Sequence, residues 1–293
     1  MKIIVIGHSI IDHFEDKGEK NSKPGGIFYS IVGINSVRES TDQIYLLTGW
    51  NRNSFHLFKT LYSKVDLDRT NKLANMPEVY LKVSGKSERE EVYKNMAGNL
   101  LINNVKDWNI YDGILINMIT GNDISIDQIK YIRNTFKGKI YFDVHTLSRG
   151  VDDTMKREFR PIPYIKEWLA CVDILQCNES ELKTIVPNRN ENESAVKILS
   201  SGPNILIITK GSSGAQVYYR TNSEVKNLFV NAVKVNSVNK IGCGDIFGAV
   251  FFYTYISTND IIVSLNNANK AGAITASRND LVSHPEMEIN DRE

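Results

Sequence analysis

The chain has 293 residues, a formal net charge of +1, 42% hydrophobic and 24% charged residues, proportions that exclude a disordered, collagen-like or disulfide-stapled protein. No run of five or six like charges occurs, so the electrostatic footprint of a nucleic-acid or membrane-surface binder is missing and a small-molecule partner is expected. Cys171, Cys177 and Cys243 form no Cys-x-x-Cys pair, which indicates neither a disulfide framework nor a thiolate zinc site and suits a reducing, cytoplasmic compartment.

Ile3-Ile4-Val5-Ile6 opens the chain as a strand; it is too short for a signal-peptide core and far below the ~20 apolar residues of a membrane span. Residues 78–95 read as a hairpin, because Val79-Tyr80-Leu81-Lys82-Val83 precedes a charged turn and then Val92-Tyr93. No helix covers this hairpin in the pattern. Residues 12–20 and 78–96 are expected to form a small β extension, either a lid or the contact of a homodimer, the alternative being an edge hairpin without function.

Further apolar strands are expected at residues 113–118, 139–144, 172–177 and 205–209, with helical spacing at Ile126, Ile129 and Ile132 and again at Ile165, Trp168 and Leu169. Strands apolar at consecutive positions suit a parallel sheet covered on both faces. The alternation points to an α/β layered sandwich, and the length allows one large domain or two modest ones.

Near the C-terminus, Val233-Lys234-Val235-Asn236 reads as a strand, residues 245–255 and 265–277 as helices. Between the first two lies Gly242-Cys243-Gly244-Asp245. Glycines at a helix N-terminus let backbone amides converge on an anion, aided by the helix dipole. A carboxylate in that turn would repel phosphate, so its chemical use is to accept a proton from an attacking hydroxyl. The same four residues also make an ordinary tight turn. Neither a P-loop nor a dinucleotide-binding Gly-x-Gly-x-x-Gly is present.

Residues 239–247, Asn-Lys-Ile-Gly-Cys-Gly-Asp-Ile-Phe, resemble the Asp-Thr-x-Gly-Ala-Gly-Asp-x-Phe signature of the ribokinase-like (PfkB) carbohydrate kinases. The resemblance runs along the chain in order: Asp12 after the first strand, Pro24-Gly25-Gly26, Asp143 to Arg149 with His145 where asparagine is usual, Asn178-x-x-Glu181, and Thr209-x-Gly211-x-x-Gly214. It implies a single domain over residues 1–293, a three-layer α/β/α sandwich with a mostly parallel central sheet and a small β lid. It further implies ATP as donor, Asp245 as catalytic base, and the amides of Gly242, Cys243 and Gly244 as the anion hole. Asp12, Gly25, Gly26, Ser30 and His145 would lie at the substrate. Thr209, Gly211, Gly214 and Asn269 would lie beside the nucleotide, and Asn178 and Glu181 would order Mg2+ through water. Asn178-x-x-Glu181 is equally a helix capping box.

Four positions depart from the family pattern: Asn239-Lys240 for Asp-Thr, Cys243 for alanine, Ala249-Val250 for Gly-Gly, and Ser30 for a substrate-contacting asparagine. Lys240 is expected to take the place of potassium; a rate rising severalfold with added potassium would contradict this. Two other readings stay open. A nucleoside kinase would stack a base on Phe28, Tyr29 or Tyr80, and a silent homologue would bind a sugar or nucleotide without turnover.

Overall fold

The structure is a computed structural model that describes residues 1–16, 19–82, 90–222, 224–238 and 241–278. Ile3, Ile4, Val5 and Ile6 are all fully buried, but into different places: Ile3 and Val5 face one hydrophobic core, Ile4 and Ile6 another. Alternate side chains of a strand point to opposite faces, so a strand apolar at every position demands cover on both sides. That cover is what the helices provide.

Among the described residues the central sheet has eight strands in the spatial order Glu224–Asn231, Gly214–Thr221, Ile205–Thr209, Ile174–Asn178, Lys139–Asp143, Gly113–Asn117, Lys2–Ile6, Gln43–Leu47. The six strands from Ile205–Thr209 to Gln43–Leu47 are parallel, while Gly214–Thr221 and Glu224–Asn231 add an antiparallel edge. One face carries helices Ile27–Asn35, Phe55–Tyr62, Cys243–Thr258 and Ile261–Ser277; the other carries Ile126–Thr135, Ile165–Leu169, Glu179–Ile185 and Glu191–Leu199. This is a three-layer α/β/α arrangement around a mostly parallel sheet.

A second sheet of four strands, in the order Glu19–Gly26, Ser9–Asp16, Glu78–Lys82, Glu90–Lys94, contains the hairpin read from the sequence. Strand Ser9–Asp16 pairs with both halves, antiparallel to Glu19–Gly26 and parallel to Glu78–Lys82. Residues 17–18 and 83–89, within the expected lid segments, lie outside the described residues.

The strand expected at Val233-Lys234-Val235-Asn236 is not formed. The edge strand ends at Asn231, and Val233 and Val235 are exposed with no further strand to join. The backbone there is held by single bonds instead, Ala232 N to Ser213 O and Val238 N to Ala276 O. Alternating valines signal a strand only where an edge is available to receive it. Among the described residues no helix is long and apolar enough to cross a membrane.

Candidate active site

Four of the six parallel strands turn polar at their carboxyl ends. Gly113–Asn117 ends in Asn117, Lys139–Asp143 in Asp143, Ile174–Asn178 in Asn178 two residues after Gln176, and Ile205–Thr209 in Thr209. Helix Cys243–Thr258 begins against this end of the sheet. Gly242 caps it with φ 76°, a left-handed conformation suited to glycine, and its carbonyl accepts the first helical bond from Ile246 N.

Two buried amide side chains hold this turn. Asn117 Nδ2 donates to Asp245 Oδ1 at 2.6 Å and to Ser30 Oγ at 3.3 Å. Gln176 Nε2 donates to the Gly244 carbonyl at 3.1 Å and to Asp143 Oδ2 at 2.7 Å, while its Oε1 accepts from the Tyr141 hydroxyl at 2.5 Å. Asp245 itself is half-buried and Gly244 is exposed. A Cβ at Gly244 would meet nothing closer than 4.0 Å, so the turn opens onto space that a phosphoryl group could enter.

Asp143 is buried beside two other carboxylates. Loss of solvent, then the charges of Glu181 and Asp245, push its carboxyl well above the usual range, against the opposing bonds from His145 N and Gln176. Burial likewise pushes the Tyr141 hydroxyl up, with Asp143 and Asp245 adding to it.

Asn178 and Glu181 form a reciprocal capping box on helix Glu179–Ile185, with Asn178 N donating to Glu181 Oε2 at 2.8 Å. The structural reading of this pair is therefore realised in full. The other oxygen, Oε1, lies 3.8 Å from both His145 Nδ1 and Arg149 Nη2. Arg149 continues to Glu91 of the lid strand Glu90–Lys94, 3.6 Å away, and stacks on Phe159. The lid and the carboxylate cluster thus share one guanidinium.

Asp12 is buried in the lid base, where Gly25 leaves room for it: a Cβ at Gly25 would stand 2.3 Å from the carboxylate. Gly26, at φ 66°, passes within 2.3 Å of the His8 carbonyl by the same measure. Ser30 is 1% exposed and bonded to Asn117, so it lies behind Asp245. Thr209 pairs with Asn178 and Ala215, and the Gly211 and Gly214 turn follows it with φ of 54° and 121°. Asn269 Nδ2 donates to the Asn231 carbonyl, tying helix Ile261–Ser277 to the sheet edge. Asn239 and Lys240 lie outside the described residues.

Among the three aromatics considered for base stacking, Phe28 packs with Phe58 and Tyr62, and Tyr29 lies under Gly242. Tyr80 stacks on His13 in the lid. Asn117, Gln176 and Glu91 were not singled out from the sequence; a polar residue closing an apolar strand was the available signal for the first two.

Residues 146–286 match the profile described as pfkB family carbohydrate kinase. This stretch belongs to the pfkB family. The ribokinase fold extends over nearly the whole chain. A sulfate complex of a pyrophosphate-dependent kinase in the ribokinase family superposes with a TM-score of 0.78 at 17% identity, covering 94% of this chain and 95% of that one. Arabidopsis thaliana ribokinase complexed with ribose and ATP gives 0.76 at 17% identity, with coverages of 98% and 96%. In sequence, an ATP-dependent ribose-1-phosphate kinase of Halopiger xanaduensis is 33% identical over 119 residues, 41% of this chain and 38% of that relative.

Proposed function

We propose that the protein transfers the γ-phosphoryl group of ATP to a hydroxyl of a sugar or sugar-like small molecule, with Asp245 as general base. The observation that carries this reading is the position of Asp245, half-buried in the first turn of helix Cys243–Thr258 directly after the exposed Gly244. The ribose-1-phosphate kinase relative and the ribokinase fold support it.

Phosphoryl transfer asks the protein mainly for position and for neutralised charge. Asp245 takes the proton of the attacking hydroxyl; the amides of Gly242, Cys243 and Gly244, with the helix dipole behind them, face the oxygens of the transferring group. Asp12, with Gly25 and Gly26 beside it, orients the sugar, and His145 stands between the sugar and Glu181. Thr209, Gly211 and Gly214 flank the triphosphate, and Asn269 the base. Among the described residues no group of three His, Cys, Asp or Glu is arranged to ligate a metal. Glu181 Oε1, the oxygen outside the capping box, suits a water-mediated contact, so Asn178 and Glu181 would order Mg2+ held by the donor's phosphates through water. When bound, that ion offsets phosphate charge. The lid excludes water, so that the donor is not hydrolysed without an acceptor, and its outer face offers a contact for a second subunit.

The test is turnover on a panel of sugars, ribose 1-phosphate, inositols and nucleosides, each with ATP and with pyrophosphate. Activity on at least one acceptor, abolished by Asp245→Asn, is expected. Equal turnover by the variant would overturn the assignment.

A further inference from the structure

We propose that Asn117 is the positioning residue for Asp245: its amide fixes one carboxylate oxygen so that the other is presented to the acceptor hydroxyl. This rests on the reading of Asp245 as the base. Asn117 closes the strand Gly113–Asn117 near the middle of the sheet and is 1% exposed. Its Nδ2 donates to Asp245 Oδ1 at 2.6 Å, the short distance of a charge-assisted bond. The amide can face only this way, because a carboxylate accepts and does not donate.

The orientation has a cost that folding alone would avoid. Asn117 Oδ1 is buried and has no hydrogen-bond partner among the described residues, a destabilising arrangement that native proteins mostly escape. Such local inconsistencies concentrate where function, and not packing, selects the residue. The second Nδ2 contact, 3.3 Å to Ser30 Oγ on helix Ile27–Asn35, braces the amide from the opposite side. Ser30 thereby acts through Asn117. Among the described residues, Asp143 and Tyr141 feel Asp245 and both would be anionic if ionised, whereas the Asn117 N–H is a neutral donor offered to its carboxylate from the sheet.

The experiment compares Asn117→Leu, Asn117→Ala and Asn117→Asp in the full chain, using the acceptor on which the wild type turns over fastest. Loss of a hydrogen bond to a charged group predicts kcat reduced about 10- to 100-fold in Asn117→Leu and Asn117→Ala. KM for donor and acceptor should stay within about threefold, since the bond matters to the reacting geometry and not to uniform binding. Asn117→Asp places a like charge against the base, so its kcat/KM should fall further and its acid limb should move to higher pH. Thermal unfolding midpoints identify any variant that fails to fold, and the alanine and leucine forms provide independent readings. Wild-type kcat in a folded Asn117→Ala or Asn117→Leu, or a loss confined to KM, would overturn the inference. Should Asp245→Asn be inactive while folded Asn117→Ala keeps wild-type kcat, only this inference falls; a fully active Asp245→Asn removes the functional reading beneath it.

Discussion

The ring of Tyr29 lies directly against Gly242: a Cβ built on that glycine would stand 2.4 Å from Tyr29 Cδ1. Gly242 also needs φ 76° to start the helix, so two separate constraints exclude any side chain there. Gly242→Ala should lose nearly all turnover, because the turn proposed to bind the phosphoryl group must shift, and should cost about 1–3 kcal/mol of stability. In a Tyr29→Ala background the same substitution should cost less, since the steric part is relieved while the backbone part remains. A double-mutant cycle by chemical denaturation, read alongside kcat, measures both.

Gly248 and Gly272 make a paired test of the same logic inside helices. Alanine normally stabilises a helix interior by roughly 0.5–1 kcal/mol over glycine. At Gly272 the nearest atom to a new Cβ is Phe247 Cδ2 at 3.9 Å, so Gly272→Ala should show that gain. At Gly248 the Cβ would stand 2.3 Å from the Tyr141 hydroxyl and 2.8 Å from Gln176 Oε1. Gly248→Ala should therefore destabilise by about 1–3 kcal/mol and, by displacing Gln176 from the Gly244 carbonyl, lower kcat. Urea midpoints of the two variants moving in opposite directions would confirm the expectation.

These two glycines show what a sequence can and cannot say. The run Ile205–Thr209 and the turn before Asp245 are local patterns, and they are readable because apolar spacing and glycine chemistry act over a few residues. Gln176 is not readable in that way. Its role depends on Tyr141 and Asp143 lying on the neighbouring strand and on Gly244 arriving from 68 residues away. Asn117 reaches Asp245 across 128 residues. Such contacts follow from strand order, which alternating elements restrict without determining. Val233 and Val235 fail for the complementary reason: their pattern is local, but the sheet has already ended at Asn231.

Asp143 sets a pH dependence of stability whose sign can be worked out. Burial, Glu181 and Asp245 raise its folded pKa above that of the unfolded chain, where an aspartate titrates near about 4. The native state then holds a proton that the unfolded state releases, so this contribution to stability is complete below about pH 4 and is lost as the pH rises through the folded value. Asp143→Asn keeps the shape without the charge. Its unfolding free energy should fall less than that of the wild type between pH 4 and pH 7, as measured by urea denaturation at each pH in the absence of nucleotide. Parallel curves would mean that the Gln176 and His145 N–H bonds offset the burial.

Arg157 ties the lid strand Glu90–Lys94 to the segments that follow strands Gly113–Asn117 and Lys139–Asp143. Its guanidinium lies 3.9 Å over the ring of Tyr93 in the lid strand Glu90–Lys94 and donates to the carbonyls of Ile119, Thr120, Thr146 and Arg149 at 3.1 to 3.4 Å. Burial pushes the Tyr93 hydroxyl up to about 12 even with Arg157 opposing it, so the ring stays neutral beneath the cation. A lysine ammonium is a point charge and cannot span four carbonyls while covering a ring. Arg157→Lys should cost about 2 kcal/mol from the lost bonds and stacking. If the second sheet closes over the site as proposed, a looser lid admits water, so the ratio of acceptor-free ATP hydrolysis to phosphoryl transfer should rise. Transfer measured with acceptor and phosphate release measured without it give that ratio directly; a variant equally stable and equally coupled would show that Arg157 fastens nothing.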